Sequence, residues 1–201
     1  MIEGLRSVLS SPKMYALFFD LGGGGARNRT LVRDYIRPKA GDRVLDIGCG
    51  PGSVVPYLPD TEYLGFDASS EYIDHARKRF PHMRFVHERV SRFAISEFGA
   101  FDIVLALGIV HHLDDAEAVS LFRVAHDALK PGSRLITVDG VWTTDQSRVA
   151  KYLLSRDRGR FVRTADAYQR LASGVFSRIQ SNIRHDLLRF PYTLIILECT
   201  R

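Results

Sequence analysis

At 201 residues and 22.7 kDa, with 45% hydrophobic and 25% charged residues, the chain has the length of one ordinary domain and a globular composition, which excludes disordered and fibrous classes. Its net charge of +5 and pI near 9.4 suit an anionic partner, but basic residues are not interleaved with aromatics in the manner of a nucleic-acid reader, so no nucleic-acid partner is expected. Cys49 and Cys199 lie far apart and form neither a disulfide framework nor a paired zinc spacing, which predicts two reduced thiols.

The N-terminal stretch carries Glu3, Arg6 and Lys13 and lacks the apolar core and cleavage site of a secretory signal. The longest apolar run, 103–110, falls far short of the ~20 residues that span a membrane, so a cytoplasmic location without membrane attachment is expected. Residues 1–38 read as a helical cap in two pieces, broken at Pro12 and by the glycine run 22–25, and part of the same domain as a core over 39–201. Glycine's backbone entropy opposes a regular element, which predicts a hinge or loop for that run. From Val44 onward, short β-branched runs alternate with amphipathic stretches, the pattern of a parallel sheet built from βαβ units. Strands are expected at 43–47, 62–66, 84–87, 102–107 and 134–139, with helices at 54–58, 70–80 and 116–129 on both faces. Helical spacing recurs in 147–154 and 165–172, and the segments 176–184 and 192–200 read as an antiparallel strand pair.

The most informative stretch is Val44-Leu45-Asp46-Ile47-Gly48-Cys49-Gly50-Pro51-Gly52, a buried strand entering a glycine-rich turn. Glycines there allow a tight turn and let a ligand approach main-chain N–H groups. Nineteen residues after Gly48, Asp67 closes the second strand, where a carboxylate accepts the hydroxyl protons of a ribose. Turn and acid together define a nucleoside site. A dinucleotide fingerprint needs glycine at position 53, but Ser53 stands there and the third glycine falls one residue early at Gly52. Asp46, just before the turn, also suits a cationic amine better than a pyrophosphate.

The run D-I-G-C-G-P-G followed by an acidic strand end resembles the first two motifs of class I S-adenosylmethionine-dependent methyltransferases, over the chain from about residue 40 onward. That resemblance implies a doubly wound, Rossmann-like α/β fold with a seven-stranded, mostly parallel sheet whose last strand is antiparallel. It implies that the turn of Gly48, Cys49, Gly50 and Gly52 wraps the methionine and ribose portions of S-adenosylmethionine, with Asp67 on the ribose and Ala68 beside the adenine. The third motif aligns on Arg89 and Val90, departing from the acidic or polar residue common in the family, and their backbone N–H groups are the candidates there. The fourth strand aligns so that Ala106 and Leu107 pass under the methionine, and 128–135 resembles the helix-turn-strand before strand five.

His111 and His112 follow strand four directly, where an imidazole accepts a proton near neutral pH, and both are candidate general bases, His112 first. Pocket-wall candidates are Tyr15, Phe18, Phe19 and Trp142, with core packing the competing role. The basic cluster Arg148, Lys151, Arg156, Arg158, Arg160 and Arg163 offers guanidinium forks for a carboxylate or phosphate, with Arg156 and Arg158 as candidate contacts to an anionic acceptor. No metal-ligand constellation is legible, which predicts metal independence. The sequence therefore points to transfer of a methyl group to oxygen or nitrogen of a small molecule. Two alternatives use the same site: intramolecular cyclisation of the cofactor's aminobutyrate arm, or a cofactor-binding partner subunit without turnover.

Overall fold

The computed structural model describes residues 21–91, 95–157 and 159–201; Tyr15, Phe18, Phe19 and Arg158 lie outside them. A sheet runs through the molecule in the order β3-β2-β1-β4-β5-β8-β7. Its strands are β1 (Arg43–Ile47), β2 (Glu62–Asp67), β3 (Arg84–His87), β4 (Phe101–Leu107), β5 (Leu129–Trp142), β7 (Arg178–Arg184) and β8 (Leu194–Thr200), while the short β6 (Arg163–Thr164) pairs with the end of β5 off this path. The first five are mutually parallel, and β8 runs against both β5 and β7. The seven-stranded, mostly parallel sheet with its last strand antiparallel is thus present, with β6 as an addition.

Side chains alternate between two cores, as the period of two in a strand requires. Leu45, Ile47, Val104 and Ala106 face helices α3 (Asp115–Ala128) and α5 (Ala165–Ser173), whereas Val44, Ile103 and Leu105 face α1 (Gly24–Leu31) and α2 (Ser70–Arg79). Central strands buried on both sides read as continuous apolar runs for this reason. Helix starts are marked by side chains that take up otherwise unpaired N–H groups: Ser69 for α2, Asp114 with Glu117 in a capping box for α3, Ser147 for α4 (Arg148–Ser155) and Thr164 for α5.

Two expectations change. The glycine run is not wholly a loop: Gly23, at φ 85°, caps α1, whose first turn contains Gly24 and Gly25. The cause is packing, since a Cβ on Gly25 would sit 2.8 Å from the Tyr57 hydroxyl, and Asn28, buried, donates to the Ser53 carbonyl at 2.8 Å. Close approach to the segment after the glycine turn outweighs the entropic cost of glycine. The helix expected at 54–58 is only a 3-10 turn, Val55–Tyr57, where Pro56 has no N–H to donate and Leu58 turns extended. Among the described residues no helix is long and apolar enough to cross a membrane.

The parallel strands deliver their carboxyl ends to one edge of the sheet, the side where open α/β sheets hold ligands. Asp46, Asp67, Leu107 and Asp139 all arrive there from different strands.

Candidate active site

After β1 the chain turns through three left-handed glycines, Gly48 (φ 72°), Gly50 (φ 54°) and Gly52 (φ 73°). The N–H groups of Gly48 and Cys49 both donate to the Phe66 carbonyl, at 2.8 and 3.0 Å, which fastens the turn to β2. Gly48 also admits Ile109, whose Cδ1 would lie 2.5 Å from a Cβ there, while Gly50 faces open space. Gly50 N–H donates to Asp67 Oδ2 and Ser69 N–H to Asp67 Oδ1, each at 2.8 Å. Two main-chain donors therefore aim the carboxylate while leaving lone pairs for a diol.

Beneath the turn Asp46 is buried, its Oδ2 accepting from the Tyr63 hydroxyl at 2.8 Å and its Oδ1 without a partner. Burial pushes the Asp46 carboxyl up to about 7 against the pull of the Tyr63 hydrogen bond, and the charge of Asp67 adds to the rise. Burial likewise pushes the Cys49 thiol up, so it is an inert packing group.

A cleft of about 450 Å³ lies at this edge, lined in part by Gly48, Asp67, Ala68, Arg89, Val90, Ile109 and His112. Arg89 is exposed and pairs with Glu117 at 3.8 Å. The Ala68 carbonyl lies 3.1 Å from His87 Nε2. Gly52 packs against Phe80 and Phe85 and Ala106 is buried in the core, and neither lines the cleft.

A second cavity, of about 430 Å³, lies beyond the ends of β4 and β5 and is lined in part by Arg27, Leu107, His111, Asp139, Arg156 and Tyr192. His112 lines both spaces. The floor of the second is a chain of polar groups. Asp139 Oδ1 accepts from the His111 main-chain N–H at 3.1 Å and faces His111 Nδ1 at 2.8 Å. His111 Nε2 faces Asp157 Oδ1 at 3.4 Å, that oxygen also accepts from Gly159 N–H at 2.7 Å, and Asp157 Oδ2 accepts from Tyr192 at 2.6 Å. Burial disfavours a charged imidazole, but the hydrogen bonds and charges of Asp139 and Asp157 outweigh it and lift His111 to about 9. Burial acts upward on Asp157 too, yet its bond to His111 holds its carboxyl below the usual range. Asp139 Oδ2 is buried with no partner.

The segment around 159–163 is strapped over this floor. Phe161 N–H donates to the His111 carbonyl at 3.0 Å, and Gly159 passes so close to the ring that a Cβ would sit 2.0 Å from His111 Cδ2. Arg163 binds Asp115 at 2.7 and 2.9 Å and the carbonyls of Val110, Leu113 and Phe161, so its fork is spent on holding the strap. Arg156 does reach the cavity, its guanidinium 5.3 Å from the centre of the Tyr152 ring. Trp142, half-buried beside β6, lines neither space. Arg27, Asp139, Asp157 and Tyr192 escaped the sequence reading. Only Asp139 left a signal, as a lone carboxylate in the apolar run of β5.

Residues 44–132 match the family model of a methyltransferase domain. An uncharacterized methyltransferase of Synechocystis sp. is 30% identical over 134 residues, 64% of this chain and 63% of that protein. Over that segment the chain is similar to methyltransferases. A ubiquinone biosynthesis O-methyltransferase of Ruegeria pomeroyi is 36% identical to this chain over 101 residues, 48% of this chain and 40% of that protein. The chain thus spans less than two thirds of the length of either relative. The fold of the chain is that of Haemonchus contortus phosphoethanolamine N-methyltransferase 2, solved with phosphomonomethylethanolamine and S-adenosylhomocysteine, at a TM-score of 0.74 and 16% identity over 98% of this chain and 59% of that one. Three features of the cleft fit S-adenosylmethionine: the aimed Asp67 carboxylate, the open space at Gly50, and an unpaired oxygen on buried Asp46.

Proposed function

We propose that the chain binds S-adenosylmethionine in the first cleft and transfers its methyl group to oxygen or nitrogen of a small molecule in the second. The observation that carries this reading is the meeting of the two spaces at His112, one built on the glycine turn and Asp67, the other on a polar floor with two arginines. When bound, the sulfonium supplies an electrophilic methyl carbon with a good leaving group, so positioning provides much of the acceleration. Asp67 holds the ribose, Ala68 and the main chain of Arg89 and Val90 border the adenine, and Asp46 attracts the cationic amine from below. Leu107, at the end of β4, borders the point where the two ligands meet.

The acceptor carries an anionic group. Among the described residues, Arg27 and Arg156 are the arginines lining the second cavity, and a guanidinium fork is suited to a carboxylate or phosphate. The names of the relatives support a small acceptor, and phosphoethanolamine bears such an anion.

S-Adenosylmethionine and S-adenosylhomocysteine are expected to raise the melting temperature while NAD does not; equal stabilisation by NAD sinks the cofactor assignment. Mass spectrometry of the spent cofactor then separates the chemistries. S-Adenosylhomocysteine is the expected product, methylthioadenosine marks cyclisation, and unchanged cofactor across an acceptor panel marks a subunit without turnover.

A further inference from the structure

We infer that Asp139, rather than His111, receives the reacting group of the acceptor, and that this group is a hydroxyl or an amine, not a carboxylate. The inference rests on the proposed methyl transfer and adds the nucleophile class and the residue that meets it.

The floor of the second cavity can be followed oxygen by oxygen. Both oxygens of Asp157 are engaged, Oδ1 by Gly159 and His111 and Oδ2 by Tyr192. Asp139 Oδ1 is engaged twice by His111. Asp139 Oδ2 alone has no donor, although it is buried and its residue lines the cavity. A buried carboxylate oxygen left unpaired is costly, and native proteins keep such groups where a ligand completes them. The charges agree with a donor as that ligand: one imidazolium between two carboxylates leaves the floor with a net negative charge. A hydroxyl or amine N–H satisfies it, whereas a carboxylate nucleophile meets like charge without a proton to offer.

His111 is excluded as the base by its own partners. Each ring nitrogen faces a carboxylate, so at neutral pH the ring has no lone pair available and acts as a positioning residue that fixes Asp139. In the step itself, a lone pair of the neutral hydroxyl or amine forms a bond to the methyl carbon as the carbon–sulfur pair withdraws to sulfur. The proton of the nucleophile passes to Asp139 Oδ2, so the positive charge of the sulfonium and the negative charge of the carboxylate disappear together.

Asp139→Asn tests this cleanly, because the amide oxygen still accepts from His111 while an NH₂ replaces the unpaired oxygen, turning an acceptor into a donor. Three probes share an anion for Arg27 and Arg156 but differ in nucleophile: phosphoethanolamine, 3,4-dihydroxybenzoate and trans-aconitate. Calorimetry on the protein loaded with S-adenosylhomocysteine, and methyl transfer with S-adenosylmethionine, are measured for each. The inference expects phosphoethanolamine or dihydroxybenzoate to be bound and methylated and trans-aconitate to be neither. It expects Asp139→Asn to weaken binding of that probe at least about tenfold and turnover about 10²-fold, with melting temperature and S-adenosylhomocysteine affinity near native. Retained probe binding and turnover in Asp139→Asn overturn it, as does methylation of trans-aconitate or indifference of the wild type to both donor probes. A wild type that fails to bind S-adenosylhomocysteine at all instead removes the underlying reading.

Discussion

The two halves of the proposed active site are made in different ways. The cofactor half comes from a contiguous turn and the next strand end, and its decisive contacts are main-chain: Gly50 and Ser69 aim Asp67, and Phe66 fastens Gly48. The acceptor half is assembled from side chains of the turn after β4, of β5, of the segment after α4 and of the loop before β8, tied by an imidazole between two carboxylates. A main-chain site tolerates little change and binds one ligand shape, whereas a side-chain site can be rebuilt residue by residue around new acceptors.

The largest effects that separate the halves are expected from two glycines. Gly48→Ala forces a methyl into Ile109 at a left-handed backbone angle, and Gly159→Ala forces one into the His111 ring. Each is expected to cost roughly 1–3 kcal/mol of stability by denaturant unfolding. Only Gly48→Ala should also lose S-adenosylhomocysteine binding; equal loss in both variants means that the halves do not fold separately.

Next in size is Asp67→Ala, expected to weaken S-adenosylhomocysteine by about 1–3 kcal/mol in calorimetry, the scale of hydrogen bonds to a charged group. Native affinity would remove Asp67 from the ribose.

The acceptor half should reveal itself through pH. His111 is raised from an ordinary value of 6.5 to about 9, so the stability that its charge contributes is complete below about pH 6.5 and is lost as pH rises through about 9. The margin of the wild type over His111→Gln in thermal melts is therefore expected to shrink between pH 7 and 10, and a constant margin contradicts the imidazolium clamp. Smallest is Arg156→Lys, which keeps the charge but loses the fork; the Michaelis constant for the acceptor should rise a few-fold, most clearly at low salt. Unchanged kinetics in Arg156→Ala would return Arg156 to the surface.

The same division explains what could be read from the sequence. Strands β1 and β3 coincide with the ranges the sequence predicts, and β8 turns antiparallel as the resemblance implies, because apolar runs between glycine and proline signals are local information. The glycine turn and Asp67 were legible for the same reason. The start of α1 inside the glycine run was not, since its cause is the hydroxyl of Tyr57, a residue far along the chain. Nor did the basic cluster disclose that Arg163 is consumed by Asp115 and three carbonyls while Arg27, outside the cluster, reaches the cavity. The linkage of Asp139, His111, Asp157 and Tyr192 exists only once four separate segments meet.

Asp46 carries one further consequence. Its carboxyl sits at about 7 in the ligand-free protein, so near neutrality it is partly protonated. An ammonium group brought beside its unpaired oxygen favours the ionised form, and cofactor uptake is then also a proton release. Calorimetric heats of S-adenosylhomocysteine binding at pH 7 should differ between phosphate and Tris in proportion to the buffers' ionisation enthalpies, and the difference should vanish in Asp46→Asn. Below about pH 7 the affinity of the wild type should fall by up to tenfold per unit, because each binding event must first expel that proton. On the proposed reading, the buried carboxylate beneath the glycine turn makes cofactor loading a function of pH.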